Sequence, residues 1–123
     1  MLSKDERLGV SRGFEHGQSG LDVVNALNHN YRLLSVFLQA TVKSASIVSE
    51  PLLANRKDGD AYIIPVNAIE AWQLHAGKIA QWDASNSSWF YITVRKGFSF
   101  FVEDVDKHMI YTAAGWKRVA FEP

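Results

Sequence analysis

The chain has 123 residues, which is enough for one domain with its own hydrophobic core. Its 13 basic and 13 acidic side chains cancel, so no net field attracts nucleic acid or an anionic membrane. No cysteine is present, which excludes disulfides and thiolate metal ligands. No stretch approaches the roughly 18 apolar residues of a membrane-spanning helix. From the charge balance and the absence of such a stretch, neither nucleic acid nor a membrane is expected as a partner.

Residues 1–21 are rich in glycine and charge, and they show neither a helical nor a strand period. This composition predicts an extended or poorly ordered N-terminal arm. Its few apolar side chains, Leu8, Val10 and Phe14, could dock into a groove. A plain flexible terminus explains the same composition without any docking.

Residues 22–46 contain neither proline nor glycine and predict one long helix, with Asp22 as its N-cap. Five apolar residues step by three and four positions, which is the spacing of a coiled-coil seam. They are Val24, Leu27, Tyr31, Leu34 and Leu38. The second half adds Leu33 and Phe37, so the helix is apolar on more than one side.

A helix that is apolar on two sides must bury both of them. One side is expected to pack on the chain's own sheet and the other on a neighbouring subunit. The five residues at heptad spacing, together with Phe37, are therefore predicted to form an oligomer interface. Alternatively, the N-terminal arm folds back and covers the surplus side of the helix.

Residues 49–123 read as β-structure throughout. Six short strands are predicted, at "AYIIPV", "KIAQWD", "SWFYITV", "FSFFVED", "HMIYTA" and "WKRVAF", separated by turn sequences such as Lys96-Gly97. A spacing of about 8–12 residues between strands is typical of an antiparallel meander. The predicted fold class is α+β, with an extended arm and one helix packed on a small antiparallel meander or sandwich.

The sequence "DGDAYI" begins with two acidic residues around a glycine, as in calcium-binding loops, but the further ligands of such a loop are missing. A turn at Asp58-Gly59, with Asp60 bonding backbone amides, explains the pattern better. His75 has no nucleophile or short-spaced second ligand beside it, which favours a buried structural histidine. No catalytic residue, metal or cofactor is therefore predicted.

The four tryptophans raise the question of carbohydrate binding, because exposed aromatic rings stack on sugars. Trp82, Trp89 and Trp116 recur in successive predicted hairpins, which favours a place in the core or at an interface. Trp72 lies in the loop-like segment "NAIEAWQLHAG" and is the best candidate for an exposed platform. Glu70 and His75 would be its companions in a possible glycan contact.

Several of these segments resemble a family of tailed phages and prophages, domain of unknown function 2793. Its Gly-Asp-x-Tyr and Trp-x-x-His-x-Gly-x-Ile-Ala-x-Trp motifs match "GDAY" and "WQLHAGKIAQW" residue by residue. The resemblance covers residues 29–119. Tyr31 replaces a glutamate of the family pattern, Val94 or Arg95 stands where proline is usual, and Phe98 replaces a tryptophan. These departures are changes of packing and put the fold in little doubt.

Domains of this family occur in phage fibre, spike and tail-associated proteins and in head spikes of gene transfer agents. The resemblance implies a non-enzymatic structural component of a virion, assembled in the host cytoplasm and taking part in host attachment. Its implied partners are itself, as a homotrimer, and other phage structural proteins of the capsid, neck or tail, reached through the N-terminal arm.

Two other functions compete with the structural one. The first is a carbohydrate-binding adhesin that acts directly on host surface polysaccharide. The second is a small glycan hydrolase, which would need two carboxylates about 5–10 Å apart across a cleft. The acidic residues of the β-region fall mostly at turns and single out no such pair, so the hydrolase is the least favoured.

Overall fold

The computed structural model describes residues 1–120. Its longest element is helix α1, Gly20–Leu38, and two 3₁₀ helices span Leu53–Asn55 and Glu70–His75. The strands are β1 Ser3–Lys4, β2 Ser11–Arg12, β3 Thr41–Val42, β4 Ala61–Ile63, β5 Ile79–Asp83, β6 Ser88–Ile92, β7 Ser99–Val102, β8 Lys107–Thr112 and β9 Gly115–Val119. No helix within the described residues is long and apolar enough to cross a membrane.

The strands form three sheets. β1 and β2 make a short hairpin, β4-β5-β6 is an antiparallel meander, and β7-β8-β9 is a second antiparallel meander that β3 extends in parallel. The predicted α+β class, with a helix on a small β-structure, is confirmed. The six predicted strands correspond to β4–β9; the last residue of the sixth, Phe121, lies outside the described residues.

Helix α1 begins earlier and ends earlier than its sequence pattern predicts. Ser19 is the N-cap, its hydroxyl accepting a hydrogen bond from the Asp22 amide at 3.1 Å, so Asp22 lies in the first turn. The helix ends at Leu38 rather than at residue 46, because the following residues join a sheet. The amide of Phe101 donates to the Ala40 carbonyl at 2.9 Å in the β3–β7 pairing.

The segment 40–44 links the two meanders. On one side, the amides of β7 and the residue after it donate to the carbonyls of Ala40 and Val42. On the other side, the Lys43 amide donates to the Ala61 carbonyl at 2.7 Å, and the Ile63 amide donates to the Ser44 carbonyl at 3.0 Å. A few residues of extended chain therefore join β4 to β7.

The β4–β5 pair has a hydrophobic cluster on each of its two faces. Ile63 and Ile79 point into the main core, which also contains Leu33 and Val36 of α1 and Phe100 of β7. Tyr62, Ile64 and Ala80, at the alternate positions, form a second cluster with Ala68 and Trp72. Burial on both faces explains why neither face of these strands is polar in sequence.

The N-terminal arm is folded onto the domain. The Asp5 carboxylate accepts hydrogen bonds from three successive amides, of which Leu8 at 2.9 Å is the closest, and so shapes the turn between β1 and β2. Leu8 and Val10 pack against the main core. The arm thus folds back onto the main core, but it does not cover the five heptad-spaced residues of α1, which stay exposed, so the alternative that it covers them is not the arrangement seen. Of the three predicted docking residues only Phe14 is exposed.

Candidate functional site

Helix α1 has three faces in different environments. Leu33 and Val36 are buried in the main core. Asn28, Arg32 and Ser35 line a cavity beside strand β5. The third face carries the five residues at heptad spacing, here called the helix seam, and each of them is between 36% and 82% exposed. The helix seam consists of Val24, Leu27, Tyr31, Leu34 and Leu38.

Phe37 does not belong to the helix seam. Its ring centroid lies 4.7 Å from that of Phe98 and 5.2 Å from that of Phe100, in the main core. The reason is its spacing, because Phe37 follows Leu33 by four positions and so shares the buried face of the helix. Phe37 is half-buried there, and its place at an oligomer interface stays a prediction.

A polar groove runs between α1 and the turn that precedes β4. It comprises two adjoining cavities of about 380 and 320 Å³, which share Ser35, Asp58, Gly59 and Gln81 as walls. The first cavity is also lined by Tyr31, Arg32, Asp83 and Asn86. The second is also lined by Gln39, Lys43, Asp60 and Glu103. These two cavities together are here called the polar groove.

Hydrogen bonds fix the side chains of the first cavity. Asp83 forms an ion pair with Arg32 and accepts a hydrogen bond from the Asn86 side chain at 2.8 Å. The hydrogen bond from Asn86 lowers the pKa of Asp83, with a smaller contribution from Arg32, so Asp83 is ionised at neutral pH. Gln81, only 7% exposed, donates to the Ser35 hydroxyl and to the Gly59 carbonyl, both at 3.2 Å.

The charges of the second cavity are also paired. Lys43 and Glu103 form an ion pair with an N–O distance of 3.0 Å. The hydrogen bond to Glu103 and the charge of Asp60 raise the pKa of Lys43. The protonated form of Lys43 is thus stabilised. Its positive charge neutralises part of the acidic charge around it.

The Asp-Gly-Asp sequence forms a turn, as predicted. Gly59 has a φ of +86°, which favours glycine, and its amide donates to the Trp82 carbonyl at 2.9 Å. Asp58, rather than the predicted Asp60, bonds the backbone, accepting from the Ala84 amide at 2.9 Å. Within residues 1–120, no group of three or more potential ligands could hold a metal ion.

Trp72 is not an exposed platform. Its side chain is completely buried, with its ring centroid 5.3 Å from that of Trp89 and 5.9 Å from that of Tyr62. The 3₁₀ helix Glu70–His75 turns the ring inward under the loop. A buried ring cannot stack on a sugar, so the glycan contact predicted around Trp72 is wrong for this residue.

The two predicted companions of Trp72 do not complete a binding site. His75 stacks on Tyr91, with ring centroids 3.5 Å apart and planes 2° from parallel. Burial is the main cause that lowers the pKa of His75, and nearby Lys78 adds to it, so the ring is neutral and structural at pH 7. Glu70 is exposed at the start of the 3₁₀ helix.

The other tryptophans have packing roles. Trp82 is buried, and its ring lies 4.6 Å below the guanidinium of Arg56, which also stands 5.3 Å from the Trp89 ring. Arg56 in turn pairs with Glu50 at 3.1 Å. The Trp116 indole donates to the Gly77 carbonyl at 2.9 Å and so ties the two meanders together.

Comparison with known proteins identifies a family. The family model described as a protein of unknown function, DUF2793, matches residues 27–117, which is well over half of the chain. The chain belongs to the DUF2793 family. No curated protein matches it.

Some of the features described above lie within the residues that match the DUF2793 model, and others lie outside them. The match contains the first meander, the second meander up to residue 117 of β9, the polar groove and most of the helix seam, whereas the β1–β2 hairpin and Val24 lie outside it. The polar groove of this DUF2793 domain was not predicted from the sequence. A signal was present, because Asn28, Arg32 and Ser35 at spacings of four and three form a polar stripe along a mostly apolar helix.

Proposed function

We propose that this DUF2793 chain is a self-associating structural module of a phage or phage-derived particle, without enzymatic activity, joined to further copies of itself through the helix seam. The observation that carries the proposal is the exposure of all five seam residues on a helix whose opposite side is buried in the main core. Burying a fully exposed side chain of this size is worth about 1.5–3 kcal/mol, and Leu27 and Leu34, which are already partly covered, gain less.

The spacing of the helix seam supports a second copy as its occupant. Side chains that alternate by three and four positions fit the holes of an equivalent helix in a left-handed coiled coil. A helix this short is marginal alone, but α1 is already held by the main core, so little order is lost on association.

The particle assignment rests on the resemblance to phage and gene-transfer-agent proteins. In this proposal the homotrimer forms part of a fibre, spike or adaptor, assembled in the host cytoplasm and carried on the virion. The N-terminal arm contacts capsid, neck or tail proteins through its exposed Phe14, since Leu8 and Val10 are occupied by the domain's own core. Host attachment is the role proposed for the assembled module.

The test of self-association is the double substitution Leu34→Asp and Leu38→Asp, because two carboxylates in the helix seam would face the same charges in each neighbouring copy. We expect the native protein to sediment as a trimer at micromolar concentration and the double variant to sediment as a monomer with unchanged helical circular dichroism. Leu74→Asp is the matched control, since Leu74 is 87% exposed outside the seam and should leave the trimer intact. A native protein that sediments as a monomer would refute the proposal.

Hydrolytic inertness is the second part of the proposal. A glycan hydrolase needs a carboxylic acid whose pKa is raised so that it donates a proton near neutral pH. The pKa of Asp83 is shifted in the opposite direction, and Asp58 is engaged with the backbone. We expect no reducing ends from polysaccharide substrates in a reducing-sugar assay. Activity that disappears in Asp58→Asn or Asp83→Asn would contradict this expectation.

A further inference from the structure

We infer that the polar groove is a binding site for a neutral oligosaccharide. The inference goes beyond self-association and does not depend on it, because the walls of the polar groove apart from Tyr31 lie outside the helix seam. The two cavities are each within the lower range of small-molecule sites, about 300–1,000 Å³, and they adjoin along the helix to form an elongated cleft. An elongated cleft suits a short linear chain of sugar rings.

The chemistry of the lining selects the ligand class. Sugar hydroxyls both donate and accept hydrogen bonds, so they are best matched by a mixture of amide, hydroxyl and carboxylate groups. The polar groove provides this mixture, with the Asn28, Gln81 and Asn86 amides beside the Ser35 hydroxyl and the Asp58 carboxylate.

The charge of the polar groove argues against an anionic ligand. Its two cations, Arg32 and Lys43, are already paired with Asp83 and Glu103. Asp58 and Asp60 add further negative charge to the same walls. A phosphate or a uronic acid would therefore be repelled, whereas a neutral ligand would not.

Hydrogen bonding gives the polar groove the order of a binding site. The nearly buried Gln81 lines both cavities and is fixed by two hydrogen bonds from its amide nitrogen, so its carbonyl oxygen is held ready to accept from a ligand.

The experiment is a titration of ¹⁵N-labelled protein with cellotetraose, chitotetraose, maltotetraose and mannotetraose, followed by NMR chemical shifts. We expect at least one neutral sugar to shift the amides of the polar groove in a saturable way, and tetragalacturonate to shift them less at equal concentration. If none of the four sugars shifts these amides at about 10 mM, or if the shifts map elsewhere, the inference is wrong.

Matched variants assign the effect to the polar groove. Asn28→Ala should raise the dissociation constant for the sugar about fivefold, which is the usual contribution of one hydrogen bond. Asn67→Ala removes an exposed amide outside the groove and should leave the dissociation constant unchanged. Equal constants for the two variants would count against the site. Repeating the titration on the Leu34→Asp, Leu38→Asp double variant separates the two proposals, because sugar binding should survive there even if self-association is lost or was never present.

Discussion

At the scale of single residues, Arg56 organises the aromatic side of the domain. Its guanidinium lies over Trp82 and Trp89, and its nitrogen atoms also bond Glu50 and the Pro51 carbonyl. The side chain is mostly buried, so the attraction between cation and ring is little weakened by water.

We expect Arg56→Ala to lower the free energy of unfolding by about 2–4 kcal/mol, because it removes the cation–π contacts and leaves Glu50 without its partner. Arg56→Lys keeps the charge but not the flat guanidinium, and should give an intermediate loss. Urea unfolding followed by tryptophan fluorescence measures both. Arg118→Ala, at an exposed position on β9, is the control. A loss in Arg56→Ala no larger than in this control would show that the stacked arginine contributes nothing.

Sequence predicts the local structure of the Asp58-Gly59 turn better than the burial of Trp72. The turn at Asp58-Gly59 could be predicted because two adjacent residues determine it. The burial of Trp72 could not, because it depends on Trp89 and Tyr62, which belong to different strands. A tryptophan in a loop-like sequence reads as exposed until the fold of that loop is known.

At the scale of elements, the N-terminal hairpin is fastened to α1 by side chains of the helix. The Asn30 side chain accepts from the Ser11 amide at 2.7 Å and donates to the Ser11 carbonyl at 3.0 Å, while His29 Nε2 donates to the Gly9 carbonyl at 2.7 Å. The hairpin itself has only two paired residues on each strand and is not stable alone. Its order therefore depends on the helix.

Asn30→Ala should release the hairpin while leaving α1 intact. Both Ser11 backbone groups would lose their partner, at a cost of about 1–3 kcal/mol. Hydrogen–deuterium exchange measured by mass spectrometry should become faster in residues 1–18 and stay unchanged in β4–β9. Asn25→Ala, an exposed substitution on the same helix, is the comparison. If both variants exchange alike, Asn30 does not hold the hairpin.

The limits of prediction at this scale follow from distance along the chain. The helix seam was visible because its period is local. The end of α1 at Leu38 was not, because Thr41–Val42 becomes a strand only by pairing with Phe101–Val102. The hairpin was missed for the same reason, since the residues that anchor it lie in the helix.

At the scale of the whole molecule, two antiparallel meanders share one helix. The sequence contained enough to predict the α+β class and the six strands β4–β9, because each strand is short, β-rich and bounded by turn residues. The polar groove arises where α1 crosses the β4–β5 region, so its walls come from separate parts of the chain. The polar stripe of α1 indicates one wall of this site, but no local pattern contains the walls that β5 and the turn before β4 supply.

The pairing of β3 with β7 also bears on how the chain is made. On the ribosome, α1 and β3 emerge well before their partner Phe101–Val102 exists. Until then, Leu33 and Val36 have no Phe100 to pack against, and β3 keeps a free edge. The first third of the chain therefore stays without these packing and pairing partners until β7 has been synthesised. Because the pairing of β3 with β7 is non-local and forms late, we expect this chain to fold slowly and its exposed first third to associate with other chains before folding is complete.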